Sequence, residues 1–325
     1  MLCSALMTLL IREAEVEQLV TMPDVIEAVE ASERALGEGR AIHHPRERVR
    51  LPGGMLHLMA GGLVDDDLFG FKAYTACGRG PVRFKVFLYH GQTGVLEAIV
   101  EGSRLGQMRT GAATAVAARR LARADAAVVG LIGTGFQAAG QLEALACVRR
   151  LREVRAFGRN PERRRAFCER LSAQIGVPVH PVDNARAAVT GADLVVTATT
   201  AREPVLEGAW LAPGAFVAAV GANLLVRREI DREVLARAAH LVVDSIEQAR
   251  RESGALVLAA DTGQVRWEQV AELRELAAGR RPGRTGPDEI TLFHSLGSVV
   301  WDLSSAALVL ARARTAGAGA LLPME

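Results

Sequence analysis

Aromatic residues make up only 4% of this 325-residue chain, and its arginines are scattered rather than grouped around them. Basic residues outnumber acidic ones by just two, 39 against 37, for a formal charge of +2. A nucleic-acid surface needs a concentrated basic field with stacking platforms, so nucleic acid is not an expected partner. Cysteine is as sparse: Cys3, Cys77, Cys147 and Cys168 lie far apart without a CxxC pair. That excludes a disulfide framework or a zinc knuckle and suits a reducing compartment. No apolar run approaches the roughly 20 residues a membrane helix requires. The opening MLCSALMTLLIREAEVEQL has neither a basic segment nor a small-residue cleavage site, and reads as a ragged terminus leading into structure. The expectation is a cytoplasmic protein with no membrane partner. Histidines lack ligand spacing, with His43 and His44 adjacent and the others dispersed, so no metal is expected. A GxSxG elbow is missing too, which removes the basis for serine-hydrolase chemistry.

Half of the residues are hydrophobic and 23% are charged, the balance of a globular enzyme. The length suits one large or two moderate domains. From Ile11 to about Arg40 the apolar spacing of Val25, Ile26, Val29 and Leu36 is helical, with Pro23 suited to a first turn and GEGR as a stop. Four strand-like runs follow, MLHLMA, FGFKAYTA, RFKVFLYH and GVLEAIV, and predict an antiparallel meander or barrel-like sheet. A long helix of small residues, capped by Ser103, then leads to AAVVGLIG. From there strands and helices alternate as far as HLVVDS, the pattern of a doubly wound parallel sheet. The tail HSLGSVVWDLSSAALVLARARTAG has a broad apolar face and is expected to fold back across the first domain.

The stretch VVGLIGTGFQAAGQ carries GxGxxA between an apolar strand and a helix. Gly133 supplies a permissive backbone for the tight turn, and Gly135 lets the main chain approach a pyrophosphate. Ala138 allows close packing, and the phosphates would sit at the positive end of the helix. The candidate cofactor-binding set is Gly133, Thr134, Gly135, Phe136, Gln137, Arg159, Asn160 and Thr199. At the end of the second strand, where an acidic residue would bind the ribose 2′-hydroxyl, the chain reads FGRNPERR. Arg159 and Asn160 stand there, with Arg163 and Arg164 a turn later. An arginine can pair with a 2′-phosphate, so NADP(H) is favoured, with NAD(H) also possible.

Three cationic elements stand out elsewhere. Lys72 lies inside the apolar LFGFKAYTA, and Arg109 lies among small residues in GQMRTGAATA. Arg46 and Arg48 lie in HHPRERVRLPGG. Taken singly, each reads as a solvated surface group. Converging on one cleft, they would suit a carboxylate substrate.

These segments resemble the ornithine cyclodeaminase/mu-crystallin family nearly end to end. The resemblance runs in order through LLIREAEVEQLVTMPDVIEAVE, GGMLHLMA, FGFKAYT, GVLEAIVEGSRLGQMRTGAATAVAARRLAR, GLIGTGFQA, ADLVVTATT, GAFVAAVGAN, REIDREVL and SLGSVVWDLSSAALV. It implies an α/β protein, a Rossmann-type doubly wound parallel sheet plus a discontinuous α+β substrate and dimerisation domain, and a homodimer. The domains would span residues 1–124 with 290–325, and 125–289. The resemblance also implies that Arg48, or Arg46 in its place, grips the substrate α-carboxylate together with Lys72 and Arg109. Two departures stand out. Asn223 occupies the place where the cyclodeaminases carry an acid/base aspartate, and Ala60 replaces a common proline. Asn223 is thus a catalytic candidate that can hydrogen-bond but cannot accept a proton at neutral pH, although Asp231 and Asp244 follow downstream.

The expected function is an NAD(P)H-dependent oxidoreductase of a small imino or amino acid, of the cyclic ketimine reductase or amino-acid dehydrogenase type. The alternatives are ornithine cyclodeaminase, forming proline with bound NAD, and a non-catalytic small-ligand-binding protein resembling mu-crystallin.

Overall fold

The computed structural model describes residues 6–78 and 82–324. Cys3 and the first residues of the opening segment lie outside them. The chain forms two compact units, Met1–Arg109 with Ser298–Glu325, and Thr110–Gly297.

In the first unit the elements run β1 (Leu6–Ile11), α1 (Glu13–Leu19), α2 (Met22–Gly37), β2 (Ala41–His43), β3 (Glu47–Leu51), β4 (Gly54–Leu63), β5 (Leu68–Cys77), β6 (Arg83–His90) and β7 (Leu96–Glu101). The start of α3 (Ser103–Leu121) follows. From the end of the chain come α11 (Val299–Ala316) and β16 (Ala320–Met324). Strands β4 to β7 form the expected antiparallel meander. It belongs to an open sheet rather than a barrel, ordered β16-β1-β7-β6-β5-β4-β2, with β3 also paired to β4. The single helix expected over Ile11–Arg40 is instead two, α1 and α2, which begin after β1 ends at Ile11. The break falls at Val20 and Thr21, where Asp24 accepts a hydrogen bond from the Thr21 amide at 2.9 Å and so closes a capping box. Ser103 does not cap α3. It is the first helical residue, and the Glu13 carboxylate accepts from its amide at 3.0 Å and from that of Arg104.

Helix α11 lies on one face of this sheet, as the apolar tail predicts. Two glycines make the approach possible. A Cβ at Gly61 would come within 2.7 Å of Val299 Cγ1, and one at Gly70 within 3.1 Å of Leu303 Cδ2 and 2.1 Å of the Phe87 carbonyl. Strand register places Gly61, Met59 and His57 of β4 on that face, beside Gly70, Lys72 and Tyr74 of β5. The core there is built from Val25, Ile26 and Val29 of α2 and Val300, Trp301 and Leu303 of α11, all buried. The opposite face carries stacked aromatics, Phe71 on Phe87 at 4.6 Å between ring centroids and Phe69 on Tyr89 at 5.7 Å.

The second unit contains β8 (Val128–Ile132), α4 (Phe136–Val148), β9 (Glu153–Phe157), α5 (Pro161–Ile175), β10 (Val179–Pro181), α6 (Ala185–Val189), β11 (Leu194–Thr197) and β12 (Phe216–Ala219). These are followed by α7 (Arg232–Arg237), β13 (Ala238–Val243), α8 (Ile246–Glu252), α9 (Gly254–Asp261), β14 (Ala271–Glu272), α10 (Leu273–Ala277) and β15 (Ile290–His294). Its sheet runs β10-β9-β8-β11-β12-β15-β13-β14, with every pairing parallel. The direction of winding reverses between β8 and β11, the switch point at which doubly wound sheets bind ligands. Two boundaries differ from the expected ones. The first division falls inside α3, between Arg109 and Thr110, because the later turns of the helix pack with the second unit: a Cβ on Gly111 would meet the Gly140 carbonyl at 2.1 Å. The second falls after β15, whose residues 290–294 are an interior strand between β12 and β13 rather than the start of the tail.

Candidate active site

The inner face of the first unit's sheet brings together the cations singled out by sequence. Lys72 in mid-β5 is only 1% exposed, and its Nζ lies 2.6 Å from Asp302 Oδ2. Arg109, the last residue of the first unit, places Nε 3.0 Å from Asp302 Oδ1. One buried carboxylate therefore serves two cations and sets their spacing. These three residues carry a net charge of +1 when Lys72 is protonated. Burial of that charge is costly without an anion to complete it. Burial, with the positive field of Arg109, pushes the Lys72 ammonium down to about 7, while Asp302 works in the opposite direction.

The support of this trio was not visible in the sequence. Lys72 Nζ sits 5.8 Å from the ring centres of Tyr74 and of Phe84, and the Arg109 guanidinium 5.7 Å from that of Trp301. The Trp301 indole donates to buried Glu33 Oε1 at 2.5 Å, which fixes the turn of α11 that carries Asp302. Arg46 is buried and Arg48 half-buried. The Arg46 charge acts on both Lys72 and His57, and that of Arg48 on His57. All four cations thus lie in one neighbourhood. Arg48 pairs across the strands with His57, and neither it nor Arg46 displaces the other as a carboxylate ligand.

The second unit holds the glycine turn. Gly133 has φ +106°, and a Cβ there would strike the Ala198 carbonyl at 2.5 Å. Glycine is therefore required where β8 meets the loop after β11. Gly135 caps α4 in an extended conformation, and a Cβ there would meet no protein atom within 4 Å. The protein's own packing does not demand this second glycine. The space outside the helix N-terminus is open instead, so the residues fit a dinucleotide pyrophosphate. Thr134 packs against Gly158 at the end of β9, where a Cβ would meet Thr134 Oγ1 at 2.3 Å. Phe136 is exposed and Gln137 half-buried at the start of α4.

Arg159 is exposed just beyond β9. Asn160 is occupied as the N-cap of α5, accepting from the Arg163 amide at 2.9 Å. Arg164 is turned inward, donating to the Gly158 carbonyl at 3.0 Å and pairing with Asp183 at 3.2 Å. Of the three arginines in FGRNPERR, Arg159 and Arg163 keep exposed side chains.

Thr199 is held by a residue that sequence reading passed over. Glu229 Oε1 accepts from the Thr199 amide at 2.6 Å and hydroxyl at 2.7 Å, and Oε2 from the Gly221 amide at 2.6 Å. Burial raises the Glu229 pKa, against the hydrogen bonds from Thr199 and Gly221. This carboxyl ties together the loops that leave β11 and β12, and Asn223 lies half-buried in the second of them. Asp231 and Asp244 have structural duties. Asp231 caps α7 through the Val234 amide at 2.9 Å. Asp244 accepts from the Ser245 amide at 3.0 Å and the Leu296 amide at 2.6 Å.

Comparison with known proteins places this geometry in a family. The profile of the ornithine cyclodeaminase/mu-crystallin family matches residues 7–317. The structure is similar to that of Thermococcus litoralis Δ1-pyrroline-2-carboxylate reductase in complex with NADH and L-proline, with TM-score 0.93 and 34% identity, covering 96% of this chain and 99% of that one. An archaeal alanine dehydrogenase dimer with bound NAD matches with TM-score 0.92 and 30% identity over 98% of this chain and all (100%) of that one. The ketimine reductase mu-crystallin of Mus musculus is 35% identical over 69% of this chain and 67% of its own length.

Proposed function

Because the chain belongs to the ornithine cyclodeaminase/mu-crystallin family, we propose that it is an NAD(P)H-dependent oxidoreductase that reduces a small cyclic or open imino acid to the amino acid. The observation that carries this reading is the buried pair Lys72 and Arg109 on the single carboxylate of Asp302. An acid-bearing substrate supplies the second negative charge that this cluster needs. When bound, the dinucleotide supplies the hydride, held by Gly133, Gly135 and the N-terminus of α4.

The chain's own residues do the rest. Arg109 and Arg48 or Arg46 orient the carboxylate, and orientation of the α-carbon follows from it. Lys72 has its pKa near neutrality and is suited to donating a proton to the imine nitrogen, directly or through water. Approach of the substrate carboxylate raises that pKa and charges the ammonium when it is needed. Asn223 contributes hydrogen bonding only. Without a proton acceptor at that position, reduction is favoured over the ammonia-releasing route of the cyclodeaminases.

The preferred cofactor is NADPH. Arg159 stands where a carboxylate would repel a 2′-phosphate, although the matched structures hold NADH or NAD. The apolar outer face of the first unit, with its stacked aromatics, supports a homodimer, and the reducing character of the cysteine pattern supports a cytoplasmic enzyme. No helix among the described residues is long and apolar enough to cross a membrane.

A panel of imino and amino acids, assayed with NADPH and NADH in parallel by the ultraviolet absorbance of the reduced dinucleotide, tests the reading. Oxidation of NADPH by a cyclic ketimine carboxylate is expected. Ammonia released from ornithine without consumption of added dinucleotide would overturn it in favour of the lyase.

A further inference from the structure

His57 lies on the same sheet face as Lys72, in a position that no part of the proposed mechanism uses. On β4 it stands between Arg48 of β3 and Tyr74 of β5, its direct cross-strand partners. Two residues further along β4, Met59 pairs with Lys72. The His57 ring is stacked on Tyr74, with centroids 4.3 Å apart and planes within 3°. That stacking fixes the orientation of the imidazole. The residue is only 7% exposed, yet Nδ1 is buried without a hydrogen-bond partner in the protein. A buried polar atom in that condition is costly unless something else satisfies it.

We infer that His57 is a further substrate-contacting residue, whose Nδ1 hydrogen-bonds the bound imino or amino acid. The inference rests on the reading of the Lys72 and Arg109 cluster as the substrate site. The ring is neutral at working pH, because burial and the charges of Arg48, Arg46 and Lys72 push its pKa down to about 4. A neutral imidazole can donate to a carboxylate oxygen or accept from a polar group further along the substrate. Both sources satisfy the same atom. Stacking on Tyr74 keeps the nitrogen in place in either case, so little conformational entropy is lost on binding.

The test compares the full-length enzyme with His57→Phe, which keeps a ring on Tyr74 without nitrogens, and with His57→Gln, which keeps a donor and an acceptor. Two substrate types are used. In one the α-carboxylate is the only oxygen-bearing group, and in the other a second polar group lies on the side chain. His57→Phe is expected to raise KM about tenfold to a hundredfold, with kcat and the KM for NADPH within about twofold. His57→Gln recovers most of the loss.

A rise for both substrate types assigns the contact to the carboxylate, and a rise for the second alone assigns it to the side chain. An unchanged KM for both types overturns the inference. Failure of His57→Phe and His57→Gln alike to fold also overturns it, by making the ring a core element. Absence of turnover by the unmodified enzyme with every acid tested refutes the wider functional reading instead.

Discussion

A buried carboxylate shared by two cations is a demanding arrangement, and Asp302 is its centre. Asp302→Asn leaves Lys72 and Arg109 buried without their counter-charge. Removing one partner of such a cluster costs about 3–5 kcal/mol, which chemical denaturation will register. The same variant is expected to lower kcat/KM about tenfold or more, since neither cation remains fixed. Lys72 makes a second prediction. Its pKa near 7 means that the proton it donates is present below that pH and lost above it, so kcat/KM should fall along an alkaline limb with an apparent pKa near 7. Lys72→Arg should keep the charge and move that limb above pH 9, whatever it does to the absolute rate. An identical limb in the variant would take the proton-donor role away from Lys72. At this scale the sequence was half legible. Lys72 and Arg109 announced themselves as single cations among apolar or small neighbours. Asp302 sits 230 residues from Lys72 in the apolar run SVVWDLSS, where one acid looks like the polar edge of an amphipathic helix. Its lack of any other acidic neighbour on that helix face was the available signal. His57, Glu33 and Glu229 gave none, because their meaning lies in partners brought near only by folding.

The elements are positioned by small residues as much as by large ones. Gly70→Ala places a methyl group against the Phe87 carbonyl and Leu303. Overpacking of this kind costs about 1–3 kcal/mol, and it displaces α11 together with Asp302. Gly53→Ala, with nothing within 4 Å of its Cβ, should stay within about 0.5 kcal/mol. Equal unfolding free energies for the two variants would show that α11 does not depend on that close approach. Periodicity revealed the meander and the alternating parallel array well, because strands buried on both faces read as short continuous apolar runs. It failed where neighbouring elements share a pattern. The helical spacing of α1 and α2 runs together across the capping residues Thr21 and Asp24. Strand β15, ITLFH, merges with the apolar helix behind it, and only its pairing between β12 and β13 separates them.

For the whole molecule, two buried histidines govern stability in acid. Burial lowers the pKa of His294 to about 4, and burial with neighbouring cations does the same for His57. Their unfolded value of 6.5 is higher, so the unfolded chain binds protons more readily. Their contribution is full above about pH 6.5 and falls as the pH drops toward 4, by about 1.4 kcal/mol per pH unit for each histidine. Denaturation curves across this range should show the loss, and His294→Gln should flatten it. A slope unchanged in the variant would mean that His294 is charged in the folded protein.

The two-unit plan could be anticipated from the order of strands and helices. Its boundaries could not, because α3 continues through one of them without a break in helical pattern. The proposed chemistry itself is tested most directly by isotope transfer, using NADPH deuterated at both transferable positions of the nicotinamide and a cyclic ketimine carboxylate. The expected product is an amino acid carrying deuterium on its α-carbon, with its formation suppressed in Asp302→Asn. Product without deuterium at that carbon, or oxidation of the dinucleotide unaffected by Asp302→Asn, would contradict the proposed chemistry.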